Sequence, residues 1–167
     1  MASLEDFVAA HGQALLRLAY LLTGRHHAAE DLFQDCLATL QRNWSRVNSA
    51  DAPLAYAKRA LVNEYISARR RRSAWEVPMG DPELATDVRR HHGFESVVVE
   101  RDRMWRLLAD LPARERAAVV LYYYEDLSDE DAATILGCRP VTVRSNRSRA
   151  LDRLRKSAEW LRTEELS

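Results

Sequence analysis

From Leu127 to Lys156 the chain reads LSDEDAATILGCRPVTVRSNRSRALDRLRK, and its second half carries side chains suited to recognising a polyanion. Arg144, Ser145, Asn146, Arg149 and Arg153 fall mostly off the face set by Val143, Ala150, Leu151 and Leu154, which recur at helical spacing. Guanidinium groups hydrogen-bond in pairs to phosphate oxygens or to guanine O6 and N7, and an Asn amide can address adenine N6 and N7. Such contacts require one helix to enter a groove and a second to hold it there. The first half of the stretch provides the second helix. Ser128 is a good N-cap with Asp131 three residues on, a capping-box pattern. Asp129, Glu130 and Asp131 put carboxylates at the positive end of the helix dipole. Ala132, Ala133, Ile135 and Leu136 give a small, apolar inner face. Gly137 stands where a helix end takes positive φ, and Pro140 stands at a first helical position, where its missing N–H costs nothing. Together these describe a helix-turn-helix whose second helix enters a DNA major groove. The plainer alternative is a helical hairpin with a solvated charged face. The order of acidic cap, glycine turn and basic helix favours DNA.

The formal net charge is zero, yet the charge is segregated. Residues 137–156 carry a net +6, residues 51–75 a net +4, and residues 76–100 a net −4. Two basic patches separated by an acidic stretch suggest two contacts with one polyanion, joined by a segment that avoids it. The upstream patch lies in PLAYAKRALVNEYISARRRR, residues 53–72. Leu54, Ala57, Leu61, Tyr65 and Ala68 (or the adjacent Ala60 and Ile66) can face inward, leaving Lys58, Arg59, Asn63, Arg69 and Arg70 outward. Trp44, Tyr56, Tyr65 and Trp75 are interleaved with these cations. Cations that follow phosphates, with aromatics that stack on bases, suit single-stranded or melted nucleic acid. For Trp44, Tyr56 or Tyr65 taken singly, packing in a core is the better explanation.

The elements that would position these groups are helical throughout. Residues 3–22 form a helix with Phe7, Ala10, Ala14, Leu15, Leu18 and Leu22 as its apolar stripe, capped by Ser3 and ended at Thr23-Gly24. A second helix spans 26–43, with Ala29, Leu32, Phe33, Cys36, Leu37 and Leu40 on one side and Glu30, Asp31, Gln34 and Asp35 on the other. Residues 44–53 are expected to be a loop, and Pro53 starts the third helix. The expected division is a first domain over 1–75, a flexible linker over 76–96, a second domain over 97–162 and a tail over 163–167. In the second domain, a helix from Val97 to Leu108 stops at Leu111-Pro112. The next, Ala113 to Tyr124, is apolar nearly all round as far as Tyr123 or Tyr124, as the central helix of a small bundle should be. The fold class is all-α, with two small helical domains.

Other functions are disfavoured. No apolar run approaches the roughly 20 residues of a membrane span, and the acidic N-terminus MASLEDFVAA lacks a basic signal-peptide region. Cys36 and Cys138 have no CxxC spacing, so neither a disulfide framework nor zinc is indicated, and a cytoplasmic location is the default. The pairs His26-His27 and His91-His92 lack carboxylate or Cys neighbours at ligand spacing. There is no phosphate loop, nucleophile elbow or HExxH, and neither a cofactor nor catalysis is expected.

These segments, in this order, resemble the extracytoplasmic-function sigma factors, the small two-domain initiation factors of bacterial RNA polymerase. The likeness covers about 3–72 and 97–160 and is greatest to an actinobacterial E-type subgroup. HHAAEDLFQDCLATLQRNW looks like the family's acidic helix, which docks on the clamp helices of the polymerase largest subunit. The resemblance makes Glu30, Asp31, Leu32, Gln34 and Asp35 the polymerase contacts. The helix at 53–72 looks like the family's −10 element helix, and the loop from Trp44 to Asp51 like the segment that captures a flipped base. That implies −10 contacts from Trp44, Asn48, Lys58, Arg59, Asn63, Arg69 and Arg70. The C-terminal segment resembles the domain that reads the −35 element, with Arg139, Thr142, Arg144, Ser145, Asn146 and Arg149 as its contacts. The implied partners are core polymerase, through clamp helices and flap, promoter DNA and, as for many relatives, an anti-sigma protein. Two departures stand out. Arg139-Pro140 replaces the usual cap of the recognition helix, and Asn146 completes Arg144-Ser145-Asn146 where KSR is usual, so a different −35 preference is expected. A helix-turn-helix regulator that never touches polymerase would explain residues 127–156 equally well, but not the acidic helix or the basic-aromatic helix upstream.

Overall fold

The computed structural model describes residues 2–75 and 107–165, and the regular structure among them is helical. The helices are α1 (Leu4–Thr23), α2 (His26–Arg42), α3 (Trp44–Asn48), α4 (Pro53–Trp75), α5 (Ala113–Tyr123), α6 (Asp129–Leu136) and α7 (Pro140–Glu165). One compact unit contains α1–α4. A second contains α5, α7 and the first part of α6. The expected linker over 76–96, the pair His91-His92 and most of the helix expected from Val97 lie outside the described residues.

In the first unit, α1 begins with a complete capping box. Ser3 Oγ accepts from the Asp6 N–H at 3.1 Å, and the Asp6 carboxylate accepts from the Ser3 N–H at 3.2 Å. Those bonds hold the Asp6 carboxyl below its ordinary pKa. Gly24 closes the helix at φ 70°, its N–H donating to the Tyr20 carbonyl. Leu15, Leu18, Leu22, Leu40, Ala57, Leu61 and Tyr65 are buried where α1, α2 and α4 pack on one another. The expected stripe on α1 is rotated. Ala10 and Ala14 are exposed while Gly12 and Ala19 are buried, because Leu15, Leu18 and Leu22 centre the stripe and the two alanines fall at its far edge. A Cβ on Gly12 would stand 3.7 Å from the Phe33 ring of α2.

Residues 44–48, expected as loop, form α3. The Asn43 carbonyl that ends α2 accepts from the Arg46 and Val47 N–H groups at 2.9 and 3.0 Å, and Val47 is fully buried. One anchored valine and a reused carbonyl hold a turn of helix that no sequence period announces. Pro53 then starts α4.

In the second unit, α5 is buried on all sides from Glu115 to Leu121, but burial ends there: Tyr122, Tyr123 and Tyr124 are exposed, so neither Tyr123 nor Tyr124 joins the packed face, contrary to the expectation for one of them. The helix runs past the edge of the bundle before the chain turns at Asp126, which takes the left-handed φ of 53°. Two charged side chains are buried in α5. Arg116 donates to the Leu108 carbonyl at 3.3 Å, and Glu115 pairs with Arg153 of α7 at 2.9 Å. Leu108, Leu111, Val119 and Ala150 form the apolar centre, with Leu154 against it, so α7 is fixed along α5. The helix continues to Glu165, into the segment expected as tail.

Candidate nucleic-acid interface

Elements α6 and α7 build the first surface. Ser128 Oγ accepts from the Asp131 N–H at 3.1 Å, starting α6. Gly137 ends it at φ 64°, and the N–H groups of both Gly137 and Cys138 donate to the Ala133 carbonyl. The Arg139 carbonyl accepts from Thr142 and Val143, so α7 starts at Pro140 without side-chain capping from Arg139. Val143, Asn146 and Ala150 face inward, and Arg139, Arg144, Ser145 and Arg149 are exposed, with Thr142 half-buried.

Asn146 thus departs from expectation. It lies three residues after Val143 and four before Ala150, which puts it on the packed face, 7% exposed. Its carboxamide oxygen accepts from Arg149 Nη2 at 3.2 Å, while Arg149 Nε donates to the Ser145 carbonyl. In this conformation Asn146 orients Arg149 rather than presenting an amide to a base edge. The remaining cations of α7 are unequal too. Arg147 pairs with Asp129 and stacks on the Tyr122 ring, 3.9 Å from its centroid. Arg144 Nε lies 3.4 Å from the other Asp129 oxygen, with the Arg144 side chain 60% exposed. Arg153 is held by Glu115.

The first unit provides a second surface. On α4, Arg59, Asn63 and Arg70 share an exposed face, and Arg69 is exposed beside it. Arg59 and Asn63 line a cleft of about 400 Å³ with Thr39, Arg46, Tyr56, Ala60 and Glu64. Its wall is cross-braced, since Thr39 Oγ1 donates to Glu64 Oε1 and accepts from Arg42 Nη2, both at 3.0 Å. Trp44 is not in the cleft. Its ring meets Phe7 edge-on, centroids 5.5 Å apart, because its place at the start of α3 turns it toward α1. Asn48 and Lys58 are half-buried and also outside the lining.

On α2, Glu30, Asp31, Gln34 and Asp35 are exposed, but Leu32 is 6% exposed, so its side chain belongs to the core. Asp31 and Asp35 border a smaller cavity of about 220 Å³ with Arg25, Tyr65 and Arg69. The structure therefore groups Arg69 with the acidic face rather than with Arg59 and Asn63. Among the described residues, no group of three or more His, Cys, Asp or Glu could hold a metal, and no helix is long and apolar enough to cross a membrane.

Two family descriptions match the chain, sigma-70 region 2 over residues 7–74 and sigma-70 region 4 over residues 101–154. The RNA polymerase sigma-E factor of Streptomyces coelicolor is 32% identical over 91% of this chain and 84% of its own length. The ECF RNA polymerase sigma factor SigM of Mycobacterium tuberculosis is 30% identical over 92% of this chain and 76% of its own. The chain belongs to the sigma-70 family of RNA polymerase sigma factors. Among solved structures, the sigma factor RpoE from Bartonella quintana, crystallised with the anti-sigma factor NepR, superposes with a TM-score of 0.67. It is 26% identical, over 93% of this chain and 96% of its own.

In this sigma factor the region 2 match runs from residue 7 in α1 to residue 74 in α4, and the region 4 match includes α6 and α7 as far as residue 154. The charge runs were legible without either. The cleft was only half legible: Tyr56 stands out as an aromatic among cations, whereas Thr39, Arg46 and Glu64 come from three helices and share no sequence signal. The joining of Tyr122, Asp129 and Arg147 spans three helices and was equally hidden.

Proposed function

We propose that this sigma factor holds promoter DNA at two points while polymerase supplies the catalysis. In this reading α7 enters the major groove of the −35 duplex, with Arg139, Thr142, Arg144, Ser145 and Arg149 at base edges and phosphates. The first unit takes the non-template strand of the −10 element as it unpairs. Phosphates follow Arg59 and Arg70, and one unstacked base enters the cleft beside Tyr56 and Asn63. Stacking worth about 1–3 kcal/mol per base would offset the few kcal/mol that unstacking costs. The exposed carboxylates of α2, Glu30, Asp31 and Asp35, dock on the clamp helices of core polymerase, and the second unit on its flap. The factor acts in the cytoplasm. An anti-sigma protein is a further partner by analogy with the complex solved for RpoE.

The observation that carries this reading is a pair of Arg-bearing surfaces of different form on the two compact units. One is a convex helix suited to duplex DNA, and the other is a cleft lined by Arg46, Tyr56, Arg59 and Asn63 with room for a base. The test is run-off transcription by core polymerase on a promoter library, with and without the chain. Promoter-dependent RNA that requires the chain is the expected result. Duplex binding without any such RNA would make the protein a helix-turn-helix regulator instead.

A further inference from the structure

We propose that Asp129 is a positioning and specificity residue for duplex recognition: it pins Arg147 as an internal strut and sets Arg144 to favour base edges over phosphates. This rests on the reading of α7 as the helix that enters the duplex.

Asp129 opens α6 and is mostly buried, and both its carboxylate oxygens point at α7. One takes Arg147 Nη1. The other lies 3.4 Å from Arg144 Nε. Arg147 is only 17% exposed, its guanidinium also covering the Tyr122 ring, so it ties the end of α5 and the start of α6 to the first third of α7. Serving the helix dipole does not account for this geometry. That role needs a negative charge near the first turn, which Glu130 and Asp131 also provide, and Ser128 already caps the helix. Nothing in it requires a carboxylate shared by two arginines of the next helix.

Arg144 shows what the sharing does. Contact through Nε leaves its two terminal nitrogens for DNA, and the side chain stays 60% exposed. A phosphate brought to that guanidinium also approaches the Asp129 carboxylate and is repelled by it. A guanine edge is uncharged and offers O6 and N7 without that penalty. Asp129 thereby weakens the sequence-independent part of binding more than the sequence-specific part, which is how a repulsive element raises specificity.

The test uses polymerase loaded with the full chain, with binding by unloaded core subtracted. Affinities are measured over a potassium chloride series for a mixed-sequence duplex and for the duplex the loaded enzyme selects from a random pool. Asp129→Asn keeps an acceptor for Arg147 but removes the charge. It should bind the mixed duplex more tightly and steepen the salt slope by about 0.9, one phosphate's worth. The ratio of selected to mixed affinity should fall about tenfold, near the discrimination of one base pair. Asp129→Glu should restore slope and ratio, and in an Arg144→Ala background Asp129→Asn should leave the slope alone. Unchanged slope and ratio in Asp129→Asn, while the native chain binds its selected duplex, overturn the inference and leave the duplex reading standing. A native chain that adds no duplex binding to core overturns both.

Discussion

Arg144, Arg147, Arg149 and Arg153 all lie on α7, yet only Arg149 and Arg144 turn most of a guanidinium outward without a strong internal ion pair. Arg149→Ala should weaken −35 duplex binding and flatten its salt dependence, by up to about 0.9 in slope for a phosphate no longer neutralised, whereas Arg144→Ala, held from phosphate by Asp129, should weaken binding to the selected duplex with little change of slope. An unchanged slope removes Arg149 from the interface, and unchanged affinity for the selected duplex removes Arg144. Arg153→Ala should behave differently. It leaves Glu115 buried without its partner, and because Arg153 is 58% exposed the cost is about 1–2 kcal/mol, below that of a fully buried pair. A lowered Tm with an unaltered salt slope is the expected result. The two thiols separate as well. Cys36 Sγ donates to the Ala57 carbonyl, and burial, with the Glu64 carboxylate adding to it, pushes its pKa from 9.0 up to about 12. A raised folded pKa favours the protonated thiol. Its stabilising contribution is therefore whole below pH 9 and is lost as pH rises from 9 toward 12. At pH 8.5 iodoacetamide should label the half-buried Cys138 and spare Cys36 until urea is added, as peptide mass mapping would show.

At the scale of the element, α2 keeps its roles on separate faces. Its apolar residues Ala29, Leu32, Cys36 and Leu40 are buried, while Asp31 and Asp35 are exposed. Replacing Asp31 and Asp35 together by Lys should leave the circular dichroism and Tm near native but abolish capture by core polymerase. Retained capture would make the acidic face merely solvated. The turn between α6 and α7 depends on Gly137 at φ 64°, with open space around its missing Cβ, so Gly137→Ala should cost about 1–2 kcal/mol from backbone strain alone, measurable by urea unfolding. Such features were legible because they are local: Ser3, Gly24, Ser128, Gly137 and Pro140 each mark a helix boundary within a few residues of itself. Helix α3 was not legible, since it rests on the buried Val47 and on the carbonyl of Asn43 rather than on a period. Nor was the inward turn of Asn146. A polar residue between a serine and an arginine looks like surface until the phase of Val143 and Ala150 is fixed by the packing of α7 on α5. The cleft at Arg46, Tyr56, Arg59 and Asn63 forms only when α2, α3 and α4 are assembled, so its cations could be named but not its shape.

For the whole molecule, net neutrality conceals a division of charge that suits two distinct contacts on one DNA. The basic residues concentrate at 51–75 and 137–156, with a net −4 between them at 76–100. If α7 holds duplex while the α4 cleft holds an unpaired base, the two sites must be reached on the same promoter at once, and their separation along the helix becomes part of the recognition. Each site then raises the effective concentration of the other, so the pair binds far more tightly than either alone. That advantage disappears when geometry forbids simultaneous engagement. DNA turns once in about 10–10.5 base pairs, so inserting five base pairs between the −35 and −10 elements rotates one by about half a turn relative to the other. Run-off transcription from the lengthened promoter should fall to background, while α7 still protects the −35 duplex in footprinting. Transcription that survives the insertion would mean that the two surfaces act independently, and the −10 cleft alone would then have to account for promoter choice.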